Sequence, residues 1–151
     1  MPQSLINLLT HLIFSTANRA PFLRDAKLRA ELHSYLGGVI RQHGGNPIIT
    51  GGVADHVHLL YAQPKVMTVP DLVRELKRGS SLWIKKRDPS LGDFAWQGGY
   101  GAFSVGQTET DAVRKYIQTQ EEHHKTRTFQ DEYLAFLRKY AISYDERFLW
   151  E

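Results

Sequence analysis

The chain predicts an α+β domain: a ferredoxin-like, RRM-like antiparallel sheet with two helices on one face and a tyrosine-bearing helix on the other. Three observations lead there. Segments of strand and helix periodicity follow the order strand, helix, strand, strand, helix, strand, which is the split βαβ arrangement. A length of 151 residues suits one domain with its own core. Val57, Leu59 and Tyr61 alternate with His56 and His58, so one strand offers an apolar side to the helices and a histidine side to whatever lies opposite.

The elements follow in order. Residues 8–14 are apolar and stop at Ser15-Thr16-Ala17-Asn18-Arg19, which marks a buried strand. Leu28, Leu32, Tyr35, Leu36 and Val39 keep helical spacing over 25–43, where Gly44-Gly45 ends the helix. Gly37-Gly38 inside that helix costs stability and points to close packing. Residues 47–53 and 56–61 read as strands joined by a short turn. Residues 69–86 form a second helix, apolar through Leu72, Val73, Leu76, Leu82 and Trp83, and closed by Asp88-Pro89.

Residues 94–97 and 102–106 read as extended, with Gly98-Gly99 and Gly101 as turns between them. Thr108 and Asp111 have capping-box spacing at the start of a helix that carries Tyr116 and runs on to His123-His124. Thr128 and Asp131 repeat the pattern before a helix over about 129–140. The tail ends in Phe148, Leu149 and Trp150, which are expected to dock. No repeat or linker is visible, so 1–151 reads as one domain with 129–151 as a C-terminal extension.

Composition narrows the function. Hydrophobic residues at 42% and charged residues at 23% belong to a folded chain rather than a disordered one. The absence of cysteine excludes disulfides, thiolate metal sites and cysteine nucleophiles, and fits a reducing cytoplasm, the expected location. No apolar stretch reaches membrane-spanning length, so no membrane partner is expected. A net charge of +3 permits a polyanionic partner without demanding one.

Two short sites carry chemistry. Side chains two apart on a strand point the same way, so His56 and His58 can share one ion. A lone pair of this kind is also common in surfaces and cores, because a ligand set needs a third group. Side chains four apart on a helix stack, so Tyr116 can sit beside Gln120. Asp55 reads as a turn residue before the strand. His123 and His124 could ligate or could simply complement a helix C-terminus. On the second helix, Arg74, Lys77, Arg78, Lys85, Lys86 and Arg87 surround Trp83 and Ser80-Ser81. That mix suits a phosphate-tracking surface with an aromatic for stacking, although a cationic helix end is also ordinary dipole complementation.

These signals occur in one order, and that order resembles the single-tyrosine HUH transposases of simple bacterial insertion sequences, including the REP-associated tyrosine transposases. The likeness spans His11-Leu12-Ile13-Phe14-Ser15-Thr16 with Arg19, Gly51-Gly52-Val53-Ala54-Asp55-His56-Val57-His58-Leu59-Leu60, and Leu76-Lys77 with Ser80-Ser81. It continues through Trp96-Gln97-Gly98-Gly99-Tyr100-Gly101-Ala102-Phe103-Ser104-Val105, and ends with Tyr116-Ile117, Gln120 and the residues to His124. Arg78 stands where relatives commonly have glycine, and the chain beyond Phe129 resembles only the REP-associated type.

The resemblance implies Tyr116 as nucleophile and His56, His58 and Gln120 as ligands of Mg²⁺ or Mn²⁺. It also implies a homodimer, and single-stranded DNA with hairpin-containing ends as the substrate. The implied reaction is cleavage and rejoining of single strands through a 5′-phosphotyrosine. Two other readings stay open on the residues: a non-catalytic single-strand-binding module on an RRM-like sheet, which lacks a visible RNP-type aromatic motif, and a nuclease using activated water, with Tyr116 only positioning DNA.

Overall fold

The computed structural model describes residues 2–151. Strands β1 (Leu9–Ser15), β2 (Asn46–Val53), β3 (His56–Ala62) and β4 (Gly101–Val105) form one antiparallel sheet in the order β2-β3-β1-β4. Helix α1 (Ala26–Gln42) joins β1 to β2, and α2 (Val69–Arg87) joins β3 to β4. The predicted α+β class and connectivity are those observed. Both connecting helices begin at real caps: the Asp25 carboxylate accepts from the N–H groups of Lys27 and Leu28, and the Thr68 hydroxyl accepts from Asp71 N–H.

β1 and β3 are central, so both of their faces are covered. On one face Leu12, Phe14, Val57, Leu59 and Tyr61 pack against Leu32, Leu36 and Ile40 of α1 and Leu72, Val73 and Leu76 of α2. The expected orientation of β3 therefore holds. The opposite face is covered by α3 (Thr110–Gln118), the single turn α4 (Gln120–His123) and α5 (Phe129–Lys139). There Ile117 lies on Leu9, Leu60 and Val105, while Phe129, Tyr133 and Leu137 lie on Ile13 and Phe103.

Two glycines set how closely that second layer approaches. A Cβ on Gly51 would lie 2.8 Å from both the side chain and the carbonyl of Ile117, so only glycine lets α3 rest on the backbone of β2. Gly52 has φ of +156°, and a Cβ there would meet the His56 carbonyl at 2.3 Å, which fixes the turn that delivers the histidines. The tail docks as expected through Trp150, whose ring meets Tyr133 and Phe129 edge-on and lies under the Arg19 guanidinium. Phe148 stays exposed.

Three expectations are corrected. Residues 94–97 form no strand and contribute only a Thr16–Trp96 bridge. Phe94 and Trp96 instead turn inward, Trp96 meeting Phe14 edge-on and Trp96 donating its indole N–H to Ser80 Oγ. Thr108 caps nothing: it lies in a 3₁₀ turn, Gln107–Glu109, and α3 starts at Thr110 without a side-chain cap. The tyrosine helix is not continuous to His124. It breaks at Thr119 (φ −103°, ψ 24°), whose hydroxyl bonds back to the carbonyls of Lys115 and Tyr116. Thr128, by contrast, does cap α5 through Asp131 N–H.

Candidate metal and nucleophile centre

β3 presents His56 and His58 to the second layer, and both are fully buried. Gln120, just past the Thr119 break, points its Oε1 at His56 Nε2, 3.2 Å away. Tyr116, four residues earlier on α3, is half-buried with its ring 5.9 Å from that of His58. The strand pair and the tyrosine–glutamine pair thus meet in one place.

What joins them is a residue that sequence reasoning missed. Glu132 of α5 is wholly buried and sits at the centre of the cluster. Its Oε1 lies 2.9 Å from His58 Nε2 and 3.3 Å from His56 Nε2. Its Oε2 accepts from the Tyr116 hydroxyl and, at 3.2 Å, from Gln120 Nε2. His124 Nε2 also lies 3.2 Å from Oε2, but without the alignment of a hydrogen bond, so this buried nitrogen has no partner. A capping pattern located α5, but a glutamate amid Phe129-Gln130-Asp131-Glu132-Tyr133 looks like first-turn dipole complementation. Only the tertiary packing turns it inward.

The outer nitrogens of the imidazoles are held as well. Asp55 Oδ1 is 2.6 Å from His56 Nδ1, so Asp55 orients the ring in addition to serving the turn. His58 Nδ1 meets Nε2 of buried His11 at 2.8 Å. His123 stacks on the Tyr116 ring at 4.5 Å and bonds Thr119 Oγ1, so it supports the tyrosine rather than joining the cluster.

The charges are strongly coupled. Burial works against the charged form of Glu132, but the imidazoles of His124, His56 and His58 outweigh it and hold the carboxyl far below the usual range. Burial also disfavours a charged His56, yet Asp55 and Glu132 push it up to about 9. His58, buried and only partly compensated by Glu132, is lowered to about 4, and burial brings His11 down to about 3. Burial and then the Glu132 carboxylate raise the Tyr116 phenol well above its ordinary value. These shifts favour a charged His56 facing an ionised Glu132, a neutral His58 and a protonated Tyr116 phenol.

The donor set fits a divalent ion. Ligand atoms of His56, His58, His124 and Glu132 all lie within 4.8 Å of one another, and an ion would replace the proton that His56 now carries. Imidazoles whose second nitrogen is tied to a carboxylate or another acceptor are the usual form of metal-binding histidine.

The α2 residues lie behind the sheet, on the other helical layer. Lys77 donates to the carbonyls of Gln97 and Gly99, and Trp83 stacks on Tyr35. Arg74 and Arg78 pair with Asp71 and Glu75 on their own helix. Lys86 is exposed and Lys85 half-buried.

The family model described as "Transposase IS200 like" matches residues 4–120. Among solved structures, one from Deinococcus radiodurans R1, described as a candidate transposase, is 26% identical. It covers 80% of this chain and 95% of its own, with a TM-score of 0.64. A REP-associated tyrosine transposase bound to a REP hairpin is 14% identical with a TM-score of 0.58, covering 82% of this chain and 73% of its own. No curated protein matches.

Proposed function

The chain belongs to the IS200-like transposase family, and we propose that it cleaves and rejoins single-stranded DNA through a phosphotyrosine formed on Tyr116. The observation that carries this reading is the convergence of Tyr116, His56, His58 and Gln120 on one buried carboxylate. A core tyrosine needs no such company. The same convergence disfavours a purely nucleic-acid-binding module, since three buried histidines and a buried glutamate are costly to hold unless they do chemistry.

His56 and His58 would hold the ion, with Gln120 and Glu132 completing the set. This donor set would suit Mg²⁺ or Mn²⁺, and its imidazole content favours Mn²⁺. Such an ion supplies charge withdrawal at the scissile phosphate and support for the leaving 3′ oxygen. Gln120 spans His56 and Glu132, fixing both. In the resting state the Tyr116 hydroxyl donates to Glu132 Oε2, so the carboxylate is placed to accept the phenol proton as the nucleophile forms. Tyr116 Oη then bonds to phosphorus as its proton passes by way of Glu132 Oε2 to solvent. The bond to the 3′ oxygen breaks, that oxygen takes up a proton from solvent to leave as a 3′-hydroxyl, and a 3′-hydroxyl from another end can reverse the step without a nucleotide cofactor.

One tyrosine per chain means that two chains are needed to process two ends, hence a homodimer. β4 closes the strand order at one side, and its free edge is the surface for pairing. The α2 cations Arg74, Arg78, Lys85 and Lys86 would add phosphate contacts remote from the chemistry, with Lys77 and Trp83 shaping that surface from below.

The decisive experiment incubates wild type and Tyr116→Phe with end-labelled single strands of random sequence and Mn²⁺. A denaturing gel then shows a covalent adduct for wild type, and mass spectrometry places it on Tyr116. An adduct on Tyr100, Tyr133 or Tyr140 moves the nucleophile, and cleavage without any adduct assigns the work to water.

A further inference from the structure

Two cavities, one of them lined by Tyr116, share Arg127 as a common wall. The smaller, about 320 Å³, is walled by Tyr116, Glu109, Arg127, Phe136, Lys139 and Tyr140. The larger, about 720 Å³, is an open trough running past Arg24, Lys125, Thr126 and Thr128 to His124. Arg127 lines both.

The neighbouring cation Arg29 is already committed, to Glu121 and to the carbonyls of Leu23 and Arg24. Among the described residues, the Arg127 guanidinium has no hydrogen bond or ion pair with the protein, while its backbone carbonyl is fixed on His124 Nδ1, 2.7 Å away. A cation is therefore anchored by its main chain at the junction with its head unpaired. The small cavity has an aromatic wall behind it. Phe103 stacks on Phe136 at 5.4 Å and on Tyr140 at 4.8 Å, and the Lys139 ammonium lies over the Tyr140 ring.

We propose that the small cavity is a nucleotide subsite. It takes the base beside the scissile phosphate, Arg127 holds that phosphate in front of Tyr116, and the trough carries the phosphates that follow. Resting on the strand-cleavage reading above, this adds which surface of the chain reads the strand. The chemistry matches the class: aromatic faces stack a base, cations sit where its phosphate must be, and the Glu109 carboxylate can accept from an exocyclic amine. The size matches too. The cavity lies at the low end of small-ligand pockets, about 300–1,000 Å³, the size range of one nucleotide, and its position beside Tyr116 suits a base turned out of any duplex.

The test uses a random-sequence pool of single-stranded 25-mers with Mn²⁺, read as covalent adduct and as short-wave ultraviolet crosslinks mapped by mass spectrometry. Crosslinks within 135–140 of wild type are expected. Arg127→Gln should lower adduct yield about tenfold and reduce the salt dependence of binding by about one unit of slope. Tyr140→Leu should weaken binding about fivefold. Thermal unfolding of both variants serves as the folding control, and the wild-type crosslinks need no variant at all. An adduct forming at wild-type yield in both variants, with no crosslink in 135–140, overturns the subsite and leaves the cleavage reading intact. Crosslinks in 135–140 with no adduct anywhere sink the cleavage reading and uphold the subsite.

Discussion

The two faces of the sheet are built from alternate residues of the same strands, yet they follow opposite rules. Toward α1 and α2, β3 sends Val57, Leu59 and Tyr61 into an aliphatic core. Toward α3, α4 and α5 it sends His56, His58 and Leu60, and the helices answer with Gln120 and Glu132. Burial stabilises the first face through apolar area. On the second face apolar clusters flank the site, but for His56, His58 and Glu132 burial is a cost offset by mutual hydrogen bonding. One layer holds the domain together, and the other keeps reactive groups dry and aimed.

The comparison breaks most visibly at Tyr116, the proposed nucleophile. Tyr116→Phe should lower cleavage by at least about a thousandfold while shifting the unfolding midpoint little, measured by gel assay and thermal melt. His58→Ala should match that loss and abolish Mn²⁺-induced stabilisation in the melt, since it removes a proposed ligand of the ion. Full wild-type cleavage in excess chelator would falsify the metal-dependent reading. On the aliphatic face the pattern reverses. Leu59→Ala should cost about 2–5 kcal/mol of stability, read by urea denaturation, with cleavage per folded molecule unchanged.

Glu132→Ala straddles both faces of the contrast. It should lose about 3 kcal/mol, softened because His56 can then shed its proton, and cleavage should fall as well. The pH dependence of the metal-free protein sharpens this further. His56 is raised from 6.5 to about 9, so its contribution is fully present below pH 6.5 and is lost as pH rises through 9. The lowered Glu132 stays ionised across that window. The unfolding midpoint should therefore drop between pH 6.5 and 9, and Glu132→Gln should flatten the drop. The smallest effect is expected from Lys85→Ala with Lys86→Ala: a few-fold loss of DNA affinity that vanishes at high salt, with the cleavage step unaltered.

The aliphatic face was legible in the sequence because its signal is local: a period of two in β3 and a period near 3.6 in α1 and α2. Half of the polar face was legible for the same reason, through the spacing of His56 with His58 and of Tyr116 with Gln120. Glu132 was not, because nothing in residues 128–133 distinguishes a glutamate that complements a helix start from one that is driven inward. His11 was read as part of an apolar strand and of the segment that carries the resemblance, with no role of its own. Its role appears when the β1–β3 register sets it opposite Leu60, diagonally across from His58. The Thr119 break was hidden too, since one threonine bonding back to the previous turn leaves no mark on periodicity.

The position of Glu132 also has a temporal consequence. The centre gathers His11, His56, His58, Gln120 and Glu132 from well-separated stretches of chain, and closing such long loops is a late event in folding. During synthesis the strands and first helices can emerge and collapse around their aliphatic core, but the carboxylate that ties the tyrosine to the histidines does not exist until residue 132 has left the ribosome. A nascent chain can thus be compact while still lacking the finished centre, so the chemistry proposed for it stays out of reach until residue 132 has been made.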